Sequence, residues 1–589
     1  MIQLKYFVIV LIFVCGMWNR SYAQFNGATI DERQRAYIAD DGRYYTQNSD
    51  WEPGCWRQCV FAWLENNNHK NDNKIIEIIN MFLSNGDPND GWQNGWVNQS
   101  HPSIVSLLRI ILGYPEVVNA IAPDLVGKIK NQYSRSIGRN DLFFPNPNGQ
   151  IRGNVVMYLF AEHFQPDSLV TYPYNLDENN MFPQFSYEGR TYINGKKYRS
   201  LDLSRDWLQY IFDYWTSDRC SNQEFASVNY ASIFIDALAL LYDFAKDEKI
   251  KEKARMALDF LLLDSVLNYS ANHWGGPHKR MYLQSYWQGH DNFYWQFFWG
   301  LHQPNSPKTP IADVFVTAYR PPRVIEDIGN LSDEADNYFH VTRFSNLAFN
   351  MAEYGSYCYV TKNYNLGTGF NWQLNILSED GSGSYQGKPF MLWINSLTYS
   401  NANDPFAPPS ATSEYYDGGD GGYQHRNAML VVPSGKPYLH IAVGDNSFDD
   451  RSTEDGWQFY REGKVAVAIK LNSSNAALEV ATIGVDYGSY QEFKSAMKTK
   501  ARLEMTRFTT SKGVVITPES VDGKYPFKRL EAEDSYGNQM VQWNNRVMTV
   551  RKHDKKVAYD FNNWKYYDDP SWDLIPPAAP QNVNISTGK

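Results

Sequence analysis

The sequence predicts a multidomain α+β protein in which an N-terminal (α/α) toroid precedes an antiparallel β-sandwich or stacked-sheet domain. The chain has 589 residues, which is too long for one compact core. In the first half, apolar residues recur at intervals of three and four, as on one face of a helix. In the second half, short alternating runs rich in Val, Ile, Thr and Tyr indicate strands.

The helical pattern extends over residues 24–308. Residues 155–164 and 207–215 follow it, and residues 230–244 are apolar nearly all round, which predicts a helix buried on most sides. Residues 249–267 continue the pattern after a short polar break, so these last two helices are expected to be antiparallel neighbours. Repeated helical hairpins of this kind favour a toroid. Within residues 187–198, Asn194-Gly195 predicts the turn of a small β-hairpin.

The strand pattern extends over residues 309–575. Predicted strands occupy residues 341–344, 354–361, 464–471, 477–483, 503–508, 513–517 and 546–552. Residues 404–422 are rich in Pro, Gly, Ser and Asp and predict a long loop. Residues 576–589 have the composition of a linker or tail.

The N-terminus predicts a secretory signal over residues 1–23. Lys5 precedes an apolar run, and Ser21-Tyr22-Ala23 forms a small-x-small cleavage site. A secreted or periplasmic protein without a membrane span is therefore expected. Four cysteines would remain after cleavage, Cys55, Cys59, Cys220 and Cys358, and permit two disulfides of undetermined pairing.

The composition limits the classes of molecule that the chain is expected to bind. The net charge is −10 and no long basic run occurs, so nucleic acid is not an expected partner. Aromatic residues make up 15% of the chain, and a surplus of Trp and Tyr suits carbohydrate binding because flat rings cover the apolar faces of sugars. An acidic polymer can still bind where cationic side chains gather in one cleft. The oligomeric state is left open.

Residues 270–286 concentrate groups able to move or stabilise protons. His273, Trp274, His278, Arg280, Tyr282 and Tyr286 lie around a Gly275-Gly276-Pro277 turn. If residues 278–282 are extended, His278, Arg280 and Tyr282 share one face. If they are helical, His278 and Tyr282 are still neighbours. A polar loop with structural contacts is the alternative.

Two polar positions in the helical half are further candidates. Asn154 opens a predicted helix directly after Gly153, where it serves either as an N-cap or as an amide that binds a substrate carboxylate. Glu224, Asn229 and Tyr230 lead into the most buried predicted helix, as capping residues or as substrate-binding groups at the centre of the toroid.

Cofactor motifs are absent from the sequence. No nucleophile elbow, phosphate-binding glycine loop, zinc motif or dinucleotide fingerprint occurs. Residues 86–91 offer oxygen ligands that would suit a structural calcium ion, but without the spacing of an EF-hand loop. We therefore expect no cofactor and no catalytic metal.

Three stretches resemble the polysaccharide lyases that combine an α/α toroid with antiparallel sheets, such as the heparinase II/III-like, alginate, chondroitin/hyaluronan and ulvan or glucuronan lyases. These are Gly153-Asn154, EFASVNYASIFIDALALLYDFAKDEKIKEKARMALDFLLLD (224–264) and NHWGGPHKRMY (272–282). YVTKNYNLGTG (359–369) and QHRNAMLV (424–431) resemble strands of that family's sheet domain. Where the family usually has Asn-Ser-Pro, this chain has Ala226-Ser227-Val228.

The resemblance implies an exported lyase that cleaves a uronate-containing anionic polysaccharide, of the ulvan or glucuronan kind, by β-elimination. It assigns Asn154 to neutralising the uronate carboxylate and Tyr282 to base and acid. His273 or His278 would be the base or the carboxylate partner, and Arg280 would stabilise the enolate-like charge. Asn229, Tyr230, Glu224, Tyr286 and Trp274 would contact the substrate.

Two other functions are compatible with the sequence. A glycoside hydrolase on an α/α toroid needs paired carboxylates, and Asp206, Asp213, Glu224 and Asp236 are available in the helical half. A non-catalytic glycan-binding protein would need only the aromatic surplus.

Overall fold

The computed structural model describes most of the predicted elements. The described residues are 29–39, 41, 53–67, 69–84, 103–138, 142, 147–172, 184–217, 228–270, 273–274, 278–279, 297–298, 313–329, 331, 337–346, 351–370, 387–388, 390–394, 411–414, 422–432, 440–442, 448–472, 475–518 and 530–568. The predicted signal segment, the calcium candidate at 86–91 and the tail at 576–589 lie outside these ranges.

Helices dominate the first half. They are α1 (Ile30–Ala39), α2 (Pro53–Asn66), α3 (Asp72–Ser84), α4 (Ser103–Gly113), α5 (Pro115–Ile121), α6 (Pro123–Gly138), α7 (Pro147–Phe164), α8 (Ser200–Trp215), α9 (Val228–Phe244) and α10 (Glu248–Leu267). A 3₁₀ turn (Asp313–Val316) and α11 (Arg323–Gly329) follow. Within the sheet half lies one further described helix, α12 (Tyr490–Thr499).

The α9–α10 pair is the helical hairpin that the sequence predicted. Asp247 caps α10, where its carboxylate accepts a hydrogen bond from the Lys249 amide at 2.9 Å. Residues 234–241 of α9 and 256–267 of α10 are all buried, which explains why the apolar residues of these helices do not form a single stripe. That helices fill the first half is confirmed, and their closure into a toroid stays a prediction.

A small hairpin interrupts the helices, but its turn is not where the sequence placed it. Strands β2 (Gln184–Tyr187) and β3 (Arg190–Ile193) pair across Glu188-Gly189. Both turn residues have positive φ, 46° and 78°, as a two-residue type I′ turn requires. Asn194-Gly195 instead joins β3 to β4 (Lys197–Arg199), which pairs with β1 (Leu169–Thr171).

Antiparallel strands dominate the second half, as predicted. After β5 (Tyr269–Ser270), β6 (His273–Trp274) and β7 (His278–Lys279) come β8 (Tyr338–Asn346), β9 (Met351–Val360), β10 (Tyr364–Phe370), β11 (Gly387–Lys388), β12 (Phe390–Ile394), β13 (Ala411–Glu414), β14 (Gly422–His425), β15 (Ala428–Val431), β16 (His440–Ala442), β17 (Asp450–Glu454), β18 (Trp457–Glu462), β19 (Val465–Leu471), β20 (Ala476–Thr482), β21 (Arg502–Leu503), β22 (Phe508–Thr509), β23 (Val515–Ile516), β24 (Glu531–Asp534), β25 (Gln539–Asn544), β26 (Val547–Lys552), β27 (Lys555–Asp560) and β28 (Lys565–Tyr567).

Two large sheets organise these strands. Among the described residues, eleven strands form one sheet in the order β16-β13-β12-β10-β9-β8-β24-β25-β26-β27-β28, here the large sheet. Six form a second in the order β14-β15-β20-β19-β18-β17. An apolar layer lies between them, with Leu366 and Leu392 from the large sheet and Met429, Val467 and Val480 from the smaller one. Side chains alternate across each strand, so each sheet contributes one face to this layer.

A second apolar layer joins the helices to the large sheet. One continuous buried cluster contains Phe260 and Leu263 of α10 together with Val550, Tyr559 and Phe561 of the sheet. Each such side chain contributes about 1.5–3 kcal/mol when buried. Residues 313–329 contact both sides of this layer. The 3₁₀ turn packs against α9, and α11 packs against α10 on one side and against β26 and β27 of the large sheet on the other. The predicted boundary at 308/309 lies outside the described residues and stays a prediction.

Two predictions in the sheet half are wrong, and one helix was missed. Residues 503–508 are not one strand, because Leu503 and Phe508 face each other across a hairpin. Residues 404–422 are not wholly loop, because β13 lies within them. Helix α12 was not predicted, although Ser489 and Glu492 form a recognisable capping box: Ser489 accepts from the Glu492 amide at 3.1 Å, and Glu492 accepts from the Gly488 amide at 2.9 Å.

Cys358 limits the disulfides that the chain can form. Its thiol is fully buried, belongs to no disulfide and donates to Asn365 Oδ1 at 2.7 Å. The two disulfides that four cysteines would permit therefore cannot both form. Burial raises the pKa of the Cys358 thiol, which keeps it in the weakly nucleophilic protonated form.

No described helix is by itself long and apolar enough to span a membrane. The pair α4 and α5 meets that criterion only jointly, and the two helices are bent by 92° relative to each other.

Candidate functional site

The backbone of the candidate stretch joins the helical half to the sheet half. Directly after α10, β5 and β6 pair as a hairpin, with Tyr269 opposite Trp274 and Ser270 opposite His273. Strand β7 then pairs with β11, so that His278 lies opposite Lys388. His278 is therefore extended, the first of the two conformations considered. Arg280, Tyr282 and Tyr286 lie outside the described residues.

Side chains of the large sheet hold the helix end from which this stretch starts. The last carbonyl groups of a helix have no partner within the helix. In α10, the carbonyls of Val266 and Leu267 accept from the Tyr338 hydroxyl at 3.4 and 3.2 Å. The carbonyl of Asn268 accepts from Asn365 Nδ2 at 2.9 Å. The first residue of the hairpin therefore leaves α10 in a direction that the sheet fixes.

Asn365 is the centre of this anchor. It is fully buried, and it both donates to Asn268 and accepts from the Cys358 thiol. The sequence reasoning missed it, although a signal was present. Asn is depleted in strands, so an Asn within a strand-forming run indicates a buried polar role.

Asn154 lies inside α7, which begins at Pro147, so it does not open a helix as predicted. Proline favours the first helical position, and this starts the helix before the glycine. The Asn154 side chain is 2% exposed, and its Nδ2 donates to the Gln150 carbonyl one turn earlier at 2.9 Å. Its Oδ1 has no hydrogen-bond partner within the described part of the chain. Its role towards a substrate stays a prediction.

Asn229 and Tyr230 lie in the first turn of α9, at the start of the buried helix, as the sequence predicted. Glu224 lies outside the described residues. The structure thus places the backbones of His273, Trp274 and His278 at the junction of the two halves and those of Asn229 and Tyr230 at a helix start.

Two carboxylates considered for a hydrolase are engaged in structural contacts. Asp206 is fully buried and accepts from Arg190, Arg205 and the Tyr192 hydroxyl, the last at 2.6 Å. Burial raises its pKa, and these donors oppose the rise.

Asp213 joins helix α8 to the large sheet. Its Oδ1 accepts from Arg546 Nη2 and from Trp564 Nε1, both at 3.0 Å, and its Oδ2 accepts from the Tyr187 hydroxyl at 3.2 Å. Asp236 is fully buried. Asp206 and Asp213 are therefore not poised as a free acid and base.

Comparisons with known proteins give one structural relative. No protein-family model matches the chain, and no curated protein matches its sequence. An X-ray structure of the chondroitin AC lyase of Streptomyces coelicolor A3, in complex with chondroitin sulphate, is similar over 91% of this chain and 88% of that one. The sequences are 9% identical and the TM-score is 0.40.

Metal binding has no support in the described residues, where no group of three or more His, Cys, Asp or Glu side chains could hold an ion. The expectation of no cofactor stays a prediction.

Proposed function

We propose that the chain is an exported polysaccharide lyase that cleaves a uronate-containing anionic polysaccharide of the ulvan or glucuronan kind by β-elimination. The observation that supports it best is the backbone position of residues 273–274 and 278–279. The hairpin of β5 and β6, which carries His273, follows the anchored end of α10, and β7, which carries His278, pairs with β11 of the sheet half. A stretch at the junction of two halves is where ligand sites preferentially occur.

The reaction requires three kinds of group. A proton beside a carboxylate is weakly acidic until the carboxylate charge is masked, and donors aimed at the developing charge contribute several kcal/mol. Asn154 is assigned to this masking and Arg280 to the enolate-like charge. His273 or His278 or Tyr282 takes the C5 proton. The electron pair then forms the C4–C5 double bond as the C4–O4 bond breaks, and Tyr282 returns a proton to O4.

Tyr282 needs a neighbouring cation to act as a base. A tyrosine hydroxyl has an ordinary pKa of about 10, and a nearby positive charge lowers it towards neutrality. Arg280, two residues away in the sequence, is assigned to that role. A group poised in this way acts as base and then as acid.

The test is a screen of the purified protein against uronate polymers, read by the ultraviolet absorbance of the unsaturated product and by product mass. Elimination gives absorbance and products that lack the water that hydrolysis adds. Tyr282→Phe and the double substitution of His273 and His278 by Ala are expected to lower kcat by at least about a hundredfold.

Matched controls are Tyr536→Phe and His69→Ala, because both side chains are exposed (74% and 61%) and remote in sequence from the candidate stretch. They are expected to leave activity unchanged. New reducing ends without absorbance would contradict the lyase proposal and favour a hydrolase. Binding without any cleavage would favour a glycan-binding protein.

A further inference from the structure

A buried carboxylate lies where the helical half, residues 313–329 (here the connecting segment) and the large sheet meet. Asp259 of α10 is fully buried, and its Oδ1 accepts a hydrogen bond from the Tyr319 hydroxyl of the connecting segment. Tyr559 of β27, also fully buried, faces the same carboxylate. Asp259 Oδ2 has no hydrogen-bond partner within the described residues.

Arg255 is the cation that acts on Asp259 in the described part of the chain. Arg255 lies one turn earlier on α10 and stacks on the Tyr566 ring of β28, 3.8 Å from its centroid. Arg255 also pairs with Glu252 at 3.1 Å, so its charge is shared. A fully buried carboxylate that accepts from the Tyr319 hydroxyl, faces the Tyr559 hydroxyl and shares its counter-ion with Glu252 is costly to keep ionised.

Within the described residues, the elements packed against α10 supply no second cation to Asp259. Tyr242 of α9 packs its ring against that of Tyr319 at 5.7 Å. The charged groups of α11 are used elsewhere: Arg323 pairs with Glu326 and Asp327, and Asp327 also accepts from Lys555.

The charged groups on the α8 side of α10 are also engaged. Lys253 of α10 donates to Gln209 at 3.1 Å and to the Tyr187 hydroxyl at 3.3 Å. Asp213 pairs with Arg546.

We propose that protonation of Asp259 controls how firmly the helical half is held against the large sheet. When the carboxyl is neutral, Tyr319, Asp259 and Tyr559 stay buried together. When it is ionised, water must reach it, so opening at residues 313–329 and 555–567 becomes more favourable. This inference does not depend on the proposed lyase function, because Asp259 is fully buried and is none of the residues assigned to that reaction.

The direction of the pH effect follows from linkage. Burial raises the pKa of Asp259 from 3.8 to about 7. Between these values the closed state holds a proton that the opened state releases, so stability falls as pH rises and levels off above about 7. From pH 5.5 to 8.5, opening at this joint is expected to increase roughly ten- to a hundredfold.

Amide hydrogen exchange in residues 313–329 and 555–567 of the full chain, at pH 5.5 and 8.5 and corrected for intrinsic rates, tests the proposal. Wild type should lose protection on going to pH 8.5, and Asp259→Asn should show little pH dependence. The control is Asp560→Asn. Asp560 is also a buried carboxylate, but it follows Tyr559 in the strand and therefore lies on the opposite face of the strand. It should keep the wild-type pH dependence.

Tyr319→Phe keeps the proposal testable if Asp259→Asn fails to fold. The Tyr319 hydrogen bond lowers the Asp259 pKa, so its loss should move the midpoint of the pH profile to higher pH. A purely structural hydroxyl would reduce protection equally at every pH. An unchanged midpoint in Tyr319→Phe, or a wild-type pH dependence in Asp259→Asn, would overturn the proposal.

Discussion

Arg546, in the turn between β25 and β26, donates to Asp213 of α8 across 333 residues of sequence. The side chains of the pair are only 14% and 11% exposed, and Arg546 also donates to Thr216 Oγ1 at 2.8 Å. Helix α8 is thereby tied to the sheet edge that carries Trp564.

Arg546→Met should destabilise the protein by about 2–4 kcal/mol, because it leaves a largely buried carboxylate without its cation. Urea unfolding measures this. A double-mutant cycle with Asp213→Asn should give a coupling free energy above about 1 kcal/mol. Arg502→Met is the control, because the Arg502 guanidinium contacts only backbone carbonyls nearby, and its effect should be small. Additive single mutants would contradict the coupling.

Asn365→Ala should destabilise the protein by about 2–3 kcal/mol, because it removes the buried donor to the Asn268 carbonyl and the acceptor of the Cys358 thiol. The control is Asn363→Ala. Asn363 lies two residues before Asn365 and its side chain is half-buried, so its replacement should lower the free energy of unfolding by less than about 0.5 kcal/mol. Chemical denaturation of both variants checks the difference. Equal effects would show that the helix end does not depend on this anchor.

Gly422→Ala should destabilise the junction of the two large sheets. A Cβ there would lie 2.5 Å from Met429 Sδ and 3.1 Å from Thr368 Oγ1, and forced overpacking typically costs about 1–3 kcal/mol. In a Met429→Ala background, Gly422→Ala should lower the free energy of unfolding only slightly further. Thermal unfolding of the four variants of this cycle measures both effects. A tolerated Gly422→Ala in the wild-type background would contradict the close contact.

Gly127→Ala, in contrast, should stabilise the protein. Gly127 lies inside α6, and an added Cβ would meet nothing within 4 Å. Alanine is favoured over glycine by up to about 1 kcal/mol in a helix interior, so the unfolding temperature should rise. A fall would mean that the local backbone of α6 differs from that described.

Ser489→Ala should destabilise α12 by about 1 kcal/mol through loss of its N-cap. Ser495→Ala, in the interior of the same helix, should be close to neutral. Urea unfolding compares the two variants. Equal losses would indicate that the capping box contributes nothing specific.

The sequence predicted the elements whose patterns are strong and regular. The apolar run of residues 230–244 and its partner at 249–267 became α9 and α10, and the alternating runs at 464–471 and 477–483 became β19 and β20. These succeed because local periodicity and burial agree.

The failures occur where local chemistry was ambiguous. Asn194-Gly195 is a strong turn signal and does form a turn. The turn of the β2–β3 hairpin, however, begins at Glu188, which has positive φ, and glutamate rarely adopts that conformation. In residues 503–508 apolar and polar residues alternate on both sides of a turn and through it, so the pattern predicted one strand where the chain forms a hairpin.

The candidate site could be predicted only in part. His273 lies in the hairpin directly after α10, and the strand that carries His278 pairs with β11 of the sheet half. Their roles towards a substrate stay predictions. The anchor through Asn365, Tyr338 and Asn268 could not be deduced, because it joins residues about 70 to 100 positions apart in sequence. Such contacts depend on tertiary packing, which periodicity does not report.

The continuous apolar layer between α10 and the large sheet has a practical consequence for dissecting the protein. A fragment that ends near residue 308 would leave Phe260 and Leu263 without the sheet that covers them, and the complementary fragment would expose Val550 and Phe561. Contiguous exposed apolar faces of this kind promote aggregation. Each fragment expressed alone is expected to aggregate. The two fragments are expected to be recovered in soluble form only when they are co-expressed as separate chains and can associate.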